Sequence, residues 1–382
     1  MRVLHVAMEC VPFSKVGGMA DVVGSLPRAL RKLDVECTVL TPHYPRIWKG
    51  SPGAELGAFD VRIGSADHRV RLLEGGGGVV LVDQPTAFDR DGVYDDPRTG
   101  EGYRDNLFRC LVLQQAARVA LRAGVRAADI VHCHDNHTGL LPVYLRDDGG
   151  PKSVLTIHNL AYQGIYGGDQ FWITGLSPGR FFGHSAFEFY GDLSLLKAGL
   201  YHADLVTTVS PNYAAEIVKP QHGFGLDGVL RQLGDRLVGI LNGIDTEAWN
   251  PARDRLIPKS YSARNLAGKE ACRRALRERA GLEQDAAAPV LGMVTRVTHQ
   301  KGVDLVGAIL PWIVRAGAQV VLLGTGDAAL LDLFSDHRTR GRDRGALRGR
   351  LRGARPARPR PPAPTHRASA YRASRPSPSC AR

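Results

Sequence analysis

Short apolar runs alternate with amphipathic stretches along most of the chain, and this alternation is what most limits its possible folds. The runs are rich in Val, Leu or Ile and are bounded by Gly, Pro or Asp, which predicts strands. They cover residues 3–7, 37–42, 79–82, 129–132, 154–158, 205–210, 237–241, 291–295 and 319–323. Nearly continuous apolar strands indicate a sheet that is covered on both faces. Helical patterns between such strands are typical of parallel α/β architecture.

Three segments carry the helical pattern most clearly: the stretch from Asp21 onward, residues 106–122 and residues 268–279. A turn-rich stretch, LNGIDTEAWNPARD, then precedes a new strand–helix–strand run that starts at Pro289. We therefore expect a complete first domain over 1–250 and a second over 251–334. The second gives only two confident strands where a doubly wound domain has about five or six, so it is expected to be incomplete.

The net charge of +12 comes from one end of the chain. Residues 338–382 hold 14 arginines against one acidic residue, Asp343, whereas residues 1–337 hold 36 basic and 37 acidic side chains. The same segment has seven prolines and no Lys, Glu, Val, Ile, Phe, Met or Trp. Such a composition buries too little apolar surface to offset ordering entropy, so we expect a disordered basic tail over 335–382.

Two interpretations of this tail remain: a functional basic arm, or out-of-frame translation of GC-rich DNA, which yields Arg, Pro, Ala and Gly in excess. The composition changes abruptly in mid-domain, straight after a helix start, which favours the second. A basic arm would bind nucleic acid through phosphate contacts. However, the tail has one aromatic residue, Tyr371, and no recognisable fold, so no specific nucleic-acid partner is expected.

The composition of 43% apolar and 23% charged residues is ordinary for a globular protein. No run of 18 apolar residues occurs, so no membrane partner is expected. The first residues include Glu9 and indicate a buried strand, not a signal peptide. The six cysteines are scattered without a Cys-x-x-Cys pair, which argues against disulfides or a zinc site and favours a cytoplasmic location.

The first candidate motif is SKVGGMADV, residues 14–22, which follows the first strand and opens a helix. Paired glycines let backbone N–H groups approach an anion, and a helix N-terminus adds a favourable dipole. Lys15 adds a positive charge beside them. The alternative is a plain glycine-rich turn. The pattern is not GxGxxG, so no dinucleotide is predicted.

The second motif is VHCHDNHTG, residues 131–139, at the end of a strand. Its three histidines and Asp135 suggest a metal site, but successive strand side chains point to opposite faces, which argues against one. We expect no metal here. A polar cleft at the carboxyl end of a strand is favoured, because such ends line ligand sites in open α/β folds. For His132, a role in the core is the simpler interpretation.

In the third motif, TIHNLAYQG, residues 156–164, a strand again ends in a histidine, His158. A lone histidine is more often structural. The repetition of polar strand ends nevertheless favours a shared cleft.

The fourth motif is MVTRVTHQKGVDL, residues 293–305. Arg296 ends a strand and Lys301 precedes a helix, so both cations can face one polyanion across the connecting loop. Arginine offers a planar fork for phosphate oxygens and lysine a compact charge. The alternative is a pair of solvated surface cations.

Together these motifs resemble the bacterial glycogen synthase and plant starch synthase family, from Met1 to about Phe334. Any one of the motifs is weak, but their joint order and spacing are highly specific. They are the KxGGxxD pattern at 15–21, YRDNLFR at 103–109, HDNHTG at 134–139, TIHNLAYQG at 156–164, HGFGLDGVL at 222–230, LNGIDTEAWNP at 241–251 and TRVTHQKG at 295–302.

The resemblance implies the GT-B glycosyltransferase architecture: an α/β fold with two Rossmann-like domains, the second incomplete here. It implies transfer of glucose from ADP-glucose to the non-reducing end of an α-1,4-glucan, such as glycogen, with retention of anomeric configuration. It also implies that no metal or other cofactor is needed. ADP-glucose is a substrate of the reaction and not a cofactor.

The resemblance further implies roles for residues of these motifs. Arg296 and Lys301 would bind the donor diphosphate and stabilise charge on the leaving ADP. Lys15, Gly17 and Gly18 would form the opposite wall of the phosphate pocket.

The remaining implied site residues contact sugars. His158 and Asp135 would lie against the transferred glucose. Asp21 would lie towards the acceptor, and Asn242 would face the interdomain cleft.

The sequence departs from the family pattern in two places. Arg273 stands where the family has a lysine, and no glutamate follows Glu283, so the family's Glu-x7-Glu motif has no counterpart after Arg296. We therefore expect this chain as written to have little or no activity. The alternatives are a glucan-binding module without catalysis and a relative that uses UDP-glucose.

Overall fold

The computed structural model of the protein describes residues 1–182, 185–285, 287–324 and 326–340. These residues form two compact units. The first contains Met1–Tyr94 and Gly102–Ile244, and the second contains Asp95–Glu101 and the described residues from Asp245 onward. The sequence predicts a boundary at residue 250, and the units divide between Ile244 and Asp245.

A nine-stranded sheet forms the centre of the first unit, in the order β12-β11-β7-β6-β1-β2-β5-β4-β3. The strands of this unit are β1 (Arg2–Val6), β2 (Glu36–Pro42), β3 (Glu55–Ile63), β4 (Ala66–Gly76), β5 (Val79–Asp83), β6 (Ile130–His134), β7 (Lys152–Ile157), β8 (Ile165–Tyr166), β9 (Glu188–Phe189), β10 (Asp192–Ser194), β11 (Leu205–Thr208) and β12 (Leu237–Gly239). The three short strands β8, β9 and β10 form a separate antiparallel sheet.

Seven helices belong to the described part of the first unit: α1 (Gly18–Arg31), α2 (Pro85–Phe88), α3 (Asn106–Arg122), α4 (Leu141–Asp147), α5 (Leu195–His202), α6 (Pro211–Ile217) and α7 (Asp227–Leu233). Most of α3 is buried, including Arg109, whose guanidinium donates to the Ala87 carbonyl and to Asn106. An apolar core of strand and helix residues surrounds these contacts.

The parallel part of the sheet matches the expectation from the apolar runs. β12, β11, β7, β6, β1, β2 and β5 are parallel neighbours, so their carboxyl ends lie at one edge. The prediction missed the antiparallel hairpin of β3 and β4. These strands alternate between exposed and buried residues and contain charged side chains and glycines, so they lack the continuous apolar run of a buried strand.

In the second unit, β13 (Val290–Val294) and β14 (Gln319–Leu323) form a two-stranded parallel sheet. Its helices are α8 (Ala267–Ala280), α9 (Val303–Arg315) and α10 (Ala328–Arg340). α10 continues to Arg340, past residue 335 where the sequence predicts the tail to begin. The remainder of the predicted tail, from residue 341, lies outside the described residues.

Two further predictions concern the cysteines and membrane-spanning helices. Within the described residues, Cys10, Cys37, Cys110, Cys133 and Cys272 are free thiols. No helix in the same residues is both long and apolar enough to cross a membrane.

Close backbone packing positions the turn after β6. A Cβ atom on Gly139 would lie 2.0 Å from the carbonyl oxygen of Leu195 in α5. A Cβ atom on Gly199, also in α5, would lie 2.9 Å from the carbonyl oxygen of Gly139. Glycine is therefore required at both positions for steric reasons, so Gly139 acts in packing.

We predict that Gly139→Ala lowers the free energy of unfolding by about 1–3 kcal/mol, because overpacking forces backbone shifts. Chemical denaturation measures this change. Gly179→Ala is the control, since Gly179 is exposed and its Cβ would meet only Ser177 Oγ, 4.0 Å away. Equal effects of the two substitutions would contradict the packing account.

Candidate active site

The predicted site residues of the first unit lie at the carboxyl edge of the sheet. The glycine loop follows β1, Asp135 follows β6 and His158 follows β7, and these three strands are direct neighbours. Because all three are parallel, their ends place the motifs side by side. Asn242 follows β12 at the outer side of the same sheet and is exposed.

A buried carboxylate holds the glycine loop. The backbone N–H groups of Val16 and Gly17 donate to Glu9 Oε2 at 2.5 and 3.0 Å, and the Tyr94 hydroxyl donates to Glu9 Oε1 at 3.1 Å. Burial raises the pKa of Glu9, and the hydrogen bonds from Val16, Gly17 and Tyr94 oppose this rise. Two of the backbone donors that the sequence assigns to an external anion therefore bind a carboxylate of the protein itself.

The start of α1 remains open beyond this contact. No side chain caps the helix at Gly17, and a Cβ atom on Gly18 would have no protein atom within 4 Å. Lys15 Nζ lies 2.7 Å from Asp21 Oδ1, and both side chains are about half exposed. The loop therefore presents a helix N-terminus and an accessible cation to the solvent.

Asp135 adopts a strained backbone conformation, with φ 57° and ψ −172°. Its Oδ1 accepts the backbone N–H groups of His158 at 2.7 Å and of Asn159 at 3.4 Å, while Oδ2 has no partner among the described residues. Burial raises the pKa of Asp135 to about 7, the hydrogen bonds lower it, and the charge of Glu9 adds to the rise. Asp135 thus fixes the loop after β7.

A row of imidazoles lies beneath His158. His158 Nε2 is 3.0 Å from His134 Nδ1, and His134 Nε2 is 3.4 Å from His5 Nδ1. His5 and His134 are fully buried and His158 is partly buried. His132 stacks on His134 with ring centroids 4.2 Å apart, and its Nε2 lies 2.6 Å from Thr156 Oγ1.

The alternation argument against a metal site was wrong for two of the histidines. His132 and His134 are two residues apart, so they lie on one face of β6, and His5 of neighbouring β1 joins them. One nitrogen of each lies within 4.8 Å of the others. The His132 and His134 rings, however, stack at an angle of 25°. Both ring nitrogens of His134 lie within hydrogen-bond distance of other histidines, and His132 Nε2 lies 2.6 Å from Thr156 Oγ1, so these nitrogens have hydrogen-bond partners in the structure.

The predicted cations of the second unit lie in the loop between β13 and α9. Arg296 and Lys301 are exposed, and neither has an ion-pair partner among the described residues. Gly302, with φ 65°, ends the 3-10 turn that carries Lys301 and precedes α9. In α8, Arg273 pairs with Glu270 at 2.6 Å.

Sequence reasoning did not assign Glu9, Tyr94 or His5 to the site. Glu9 and His5 lie within a buried apolar segment, and a polar residue in such a segment is a signal that could have identified both. Tyr94, whose ring stacks on His137 at 4.7 Å, lies in a loop without a distinctive pattern.

Comparison with known proteins gives consistent matches. The family model for the starch synthase catalytic domain matches residues 2–232. A glycogen synthase of Roseobacter denitrificans is 42% identical over 340 residues, which cover 87% of this chain and 71% of the relative. A glycogen synthase of Rhodopseudomonas palustris is 43% identical over 337 residues, which cover 86% and 69%.

Among solved structures, the catalytic domain of Starch Synthase IV from Arabidopsis thaliana, bound to ADP and acarbose, is similar to this chain. The TM-score is 0.80 at 28% identity, covering 88% of this chain and 71% of the other. This match confirms the predicted GT-B class of α/β fold.

The buried Asp135 carboxyl makes stability depend on pH. A raised pKa means that the folded state binds the proton more tightly, so ionisation destabilises the fold as pH rises from about 4 to 7. We predict that Asp135→Asn gains unfolding free energy relative to wild type across this window. The gain should exceed about 1 kcal/mol, since one pKa unit corresponds to about 1.4 kcal/mol.

Denaturation at several pH values measures the difference in the free energy of unfolding between the variant and wild type. Both proteins contain the same histidines, so the contributions of the histidines to the pH dependence cancel in this difference. Asp129→Asn is the control, because Arg2 holds the pKa of that exposed carboxyl below its usual value. It should show no gain as pH rises. A pH-independent difference for Asp135→Asn would contradict the assignment.

Proposed function

Because this chain belongs to the glycogen and starch synthase family of glycosyltransferases, we propose that it transfers glucose from ADP-glucose to an α-1,4-glucan. Transfer occurs at the non-reducing end with retention of anomeric configuration. The names of the glycogen synthase relatives support this activity, and ADP bound to the Arabidopsis enzyme supports the donor. The reaction takes place in the cytoplasm and uses no metal or other cofactor.

The observation that carries the proposal is the carboxyl edge of the sheet, where three neighbouring strands bring the glycine loop, Asp135 and His158 together. An accessible helix N-terminus and Lys15 suit a phosphate. Beside them, His158 and the free Oδ2 of Asp135 offer hydrogen-bonding groups of the kind that bind sugar hydroxyls. Asp21 and Asn242 add polar groups for the acceptor.

Charge stabilisation supplies the chemistry of the leaving group. Breaking the glycosidic bond of the donor develops negative charge on the diphosphate of ADP. Arg296 and Lys301 stabilise that charge, because both are exposed and neither is neutralised by a carboxylate among the described residues. In the first unit, Lys15 and the N–H groups at the start of α1 are suited to bind a phosphate by the same electrostatic principle.

Incubation with labelled ADP-glucose and glycogen, followed by precipitation of the glycogen, tests the proposal. β-Amylase should release any label that the precipitate contains, since that enzyme removes α-1,4-linked maltose from non-reducing ends. Labelled UDP-glucose should give less incorporation. Higher incorporation from UDP-glucose would instead identify a UDP-glucose-using relative.

Equilibrium binding separates the remaining outcomes. The low turnover expected from the lack of a glutamate after Glu283 stays a prediction, and the same assay measures it. Binding of both ADP-glucose and glycogen without incorporation would support the proposed site but not the activity. Binding of glycogen alone would indicate a glucan-binding module, and binding of neither would contradict the proposal.

We predict that Gly18→Ala weakens ADP-glucose binding by about tenfold or more, which is about 1.4 kcal/mol. The new methyl group would project into open space at the start of α1, where we propose that the phosphates bind, and no protein atom lies within 4 Å of it. The free energy of unfolding should stay the same or rise, because alanine favours a helix more than glycine does. Calorimetric titration measures the affinity.

Gly179→Ala, at another exposed glycine with room for a methyl group, is the matched control and should bind like wild type. Unchanged affinity in Gly18→Ala would place the diphosphate away from this loop.

A further inference from the structure

A hydrogen-bonded row of three imidazoles crosses neighbouring strands below the candidate site. His5 lies in β1, His134 ends β6 and His158 follows β7. The two contacts are His5 Nδ1 to His134 Nε2, at 3.4 Å, and His134 Nδ1 to His158 Nε2, at 3.0 Å. His134 therefore uses both of its ring nitrogens within the row.

All three imidazoles are neutral at pH 7. Burial lowers the pKa of His5 and of His158 to about 4 and holds the pKa of His134 well below its usual value. A neutral imidazole has one N–H donor and one acceptor nitrogen. His134 can therefore donate to only one neighbour and must accept from the other, so both hydrogen bonds run in the same direction.

Only two arrangements satisfy this constraint. In the first, His5 Nδ1–H donates to His134 Nε2, and His134 Nδ1–H donates to His158 Nε2. The proton of His158 then resides on Nδ1. In the second, every proton is reversed: His158 donates through Nε2–H, and His5 carries its proton on Nε2.

The buried end of the row distinguishes the two arrangements. His5 Nε2 is buried and has no hydrogen-bond partner among the described residues. The second arrangement would place an N–H donor at this atom, whereas the first places only a lone pair there. Orphaned buried N–H groups are rarer than under-satisfied acceptors, so the first arrangement is favoured.

We propose that His134, backed by His5, is a positioning residue that holds His158 in the Nδ1–H tautomer. His158 Nδ1 has no partner among the described residues, so its N–H remains available for a sugar hydroxyl. The contact of this N–H with a sugar rests on the proposed function. An unsupported imidazole interchanges its tautomers, and a fixed one is preorganised to donate.

The other buried groups in the cluster do not compete for these nitrogens. His132 Nε2 interacts with Thr156, whose hydroxyl lies 2.6 Å from that of Thr207. This second network runs toward β11. His132 thus stacks on the row without breaking it.

Nitrogen-15 NMR of the full chain, labelled at histidine and treated with a chelator, tests the proposal directly. Long-range proton–nitrogen spectra at pH 7 distinguish protonated from unprotonated ring nitrogens, and loss of one signal set in His158→Gln assigns the residue. We expect His158 to be protonated on Nδ1 and unprotonated on Nε2. Protonation on Nε2, on both nitrogens, or an even mixture would overturn the proposal.

Two substitutions test the role of His134. His134→Leu removes the donor, so His158 should lose its preference for Nδ1–H. His134→Asn places an amide N–H near the former Nδ1 and should retain the preference. A fixed Nδ1–H tautomer in folded His134→Leu would contradict the role of His134. If neither variant folds, the wild-type spectrum alone still decides whether His158 is held as proposed.

The tautomer is measured without substrate. A result that overturns the positioning role of His134 is therefore distinguishable from a result that overturns the proposed function. Addition of ADP-glucose and maltoheptaose should then shift the His158 Nδ1–H signal. An Nδ1–H tautomer that does not respond to either sugar would support the positioning role and contradict the sugar contact.

Metal titration is a further check. If Zn²⁺ at stoichiometric concentration shifts the nitrogen signals of His5, His132 and His134, the hydrogen-bonded row is overturned.

Discussion

Parallel pairing of β1 with β6 and of β6 with β7 is the constraint on which the candidate site depends. Parallel strands end at the same edge, so three segments far apart in the chain deliver their polar residues to one place. Most residues of these strands are buried, including His5 and His134, and their carboxyl ends lead directly into the loops that carry Asp135 and His158. Close packing of α5 against Gly139 then fixes the turn after β6.

Burial gives this edge its electrostatic character. The pKa of Glu9 and of Asp135 is raised, and the pKa of each of the four clustered histidines is lowered, in every case mainly by desolvation. Neutral imidazoles and a partly protonated carboxyl act through directed hydrogen bonds more than through charge. The cations of the glycine loop and of the second unit, Lys15, Arg296 and Lys301, are exposed instead. This division suits a reaction with a neutral sugar and a charged diphosphate.

Local sequence patterns were sufficient to predict the parallel strands and the loops that carry Gly18, Asp135 and His158. They were not sufficient for the β3–β4 hairpin, whose half-exposed strands lack an apolar run. The row of histidines depends on contact between His5 and His134, which periodicity within either segment does not reveal. Glu9 argues in the sequence against a signal peptide, but no local pattern indicates that its carboxylate accepts the N–H groups of the glycine loop.

In the proposed function, the carboxyl edge of the first unit binds the donor and the glucan. Hydrogen–deuterium exchange with and without ADP-glucose and maltoheptaose tests it most directly, because backbone protection locates binding even if turnover is low. We expect slower exchange in the loops at residues 14–20, 135–139 and 158–164 when both ligands are present. Protection confined to other parts of the chain, or no change at saturating ligand, would contradict it.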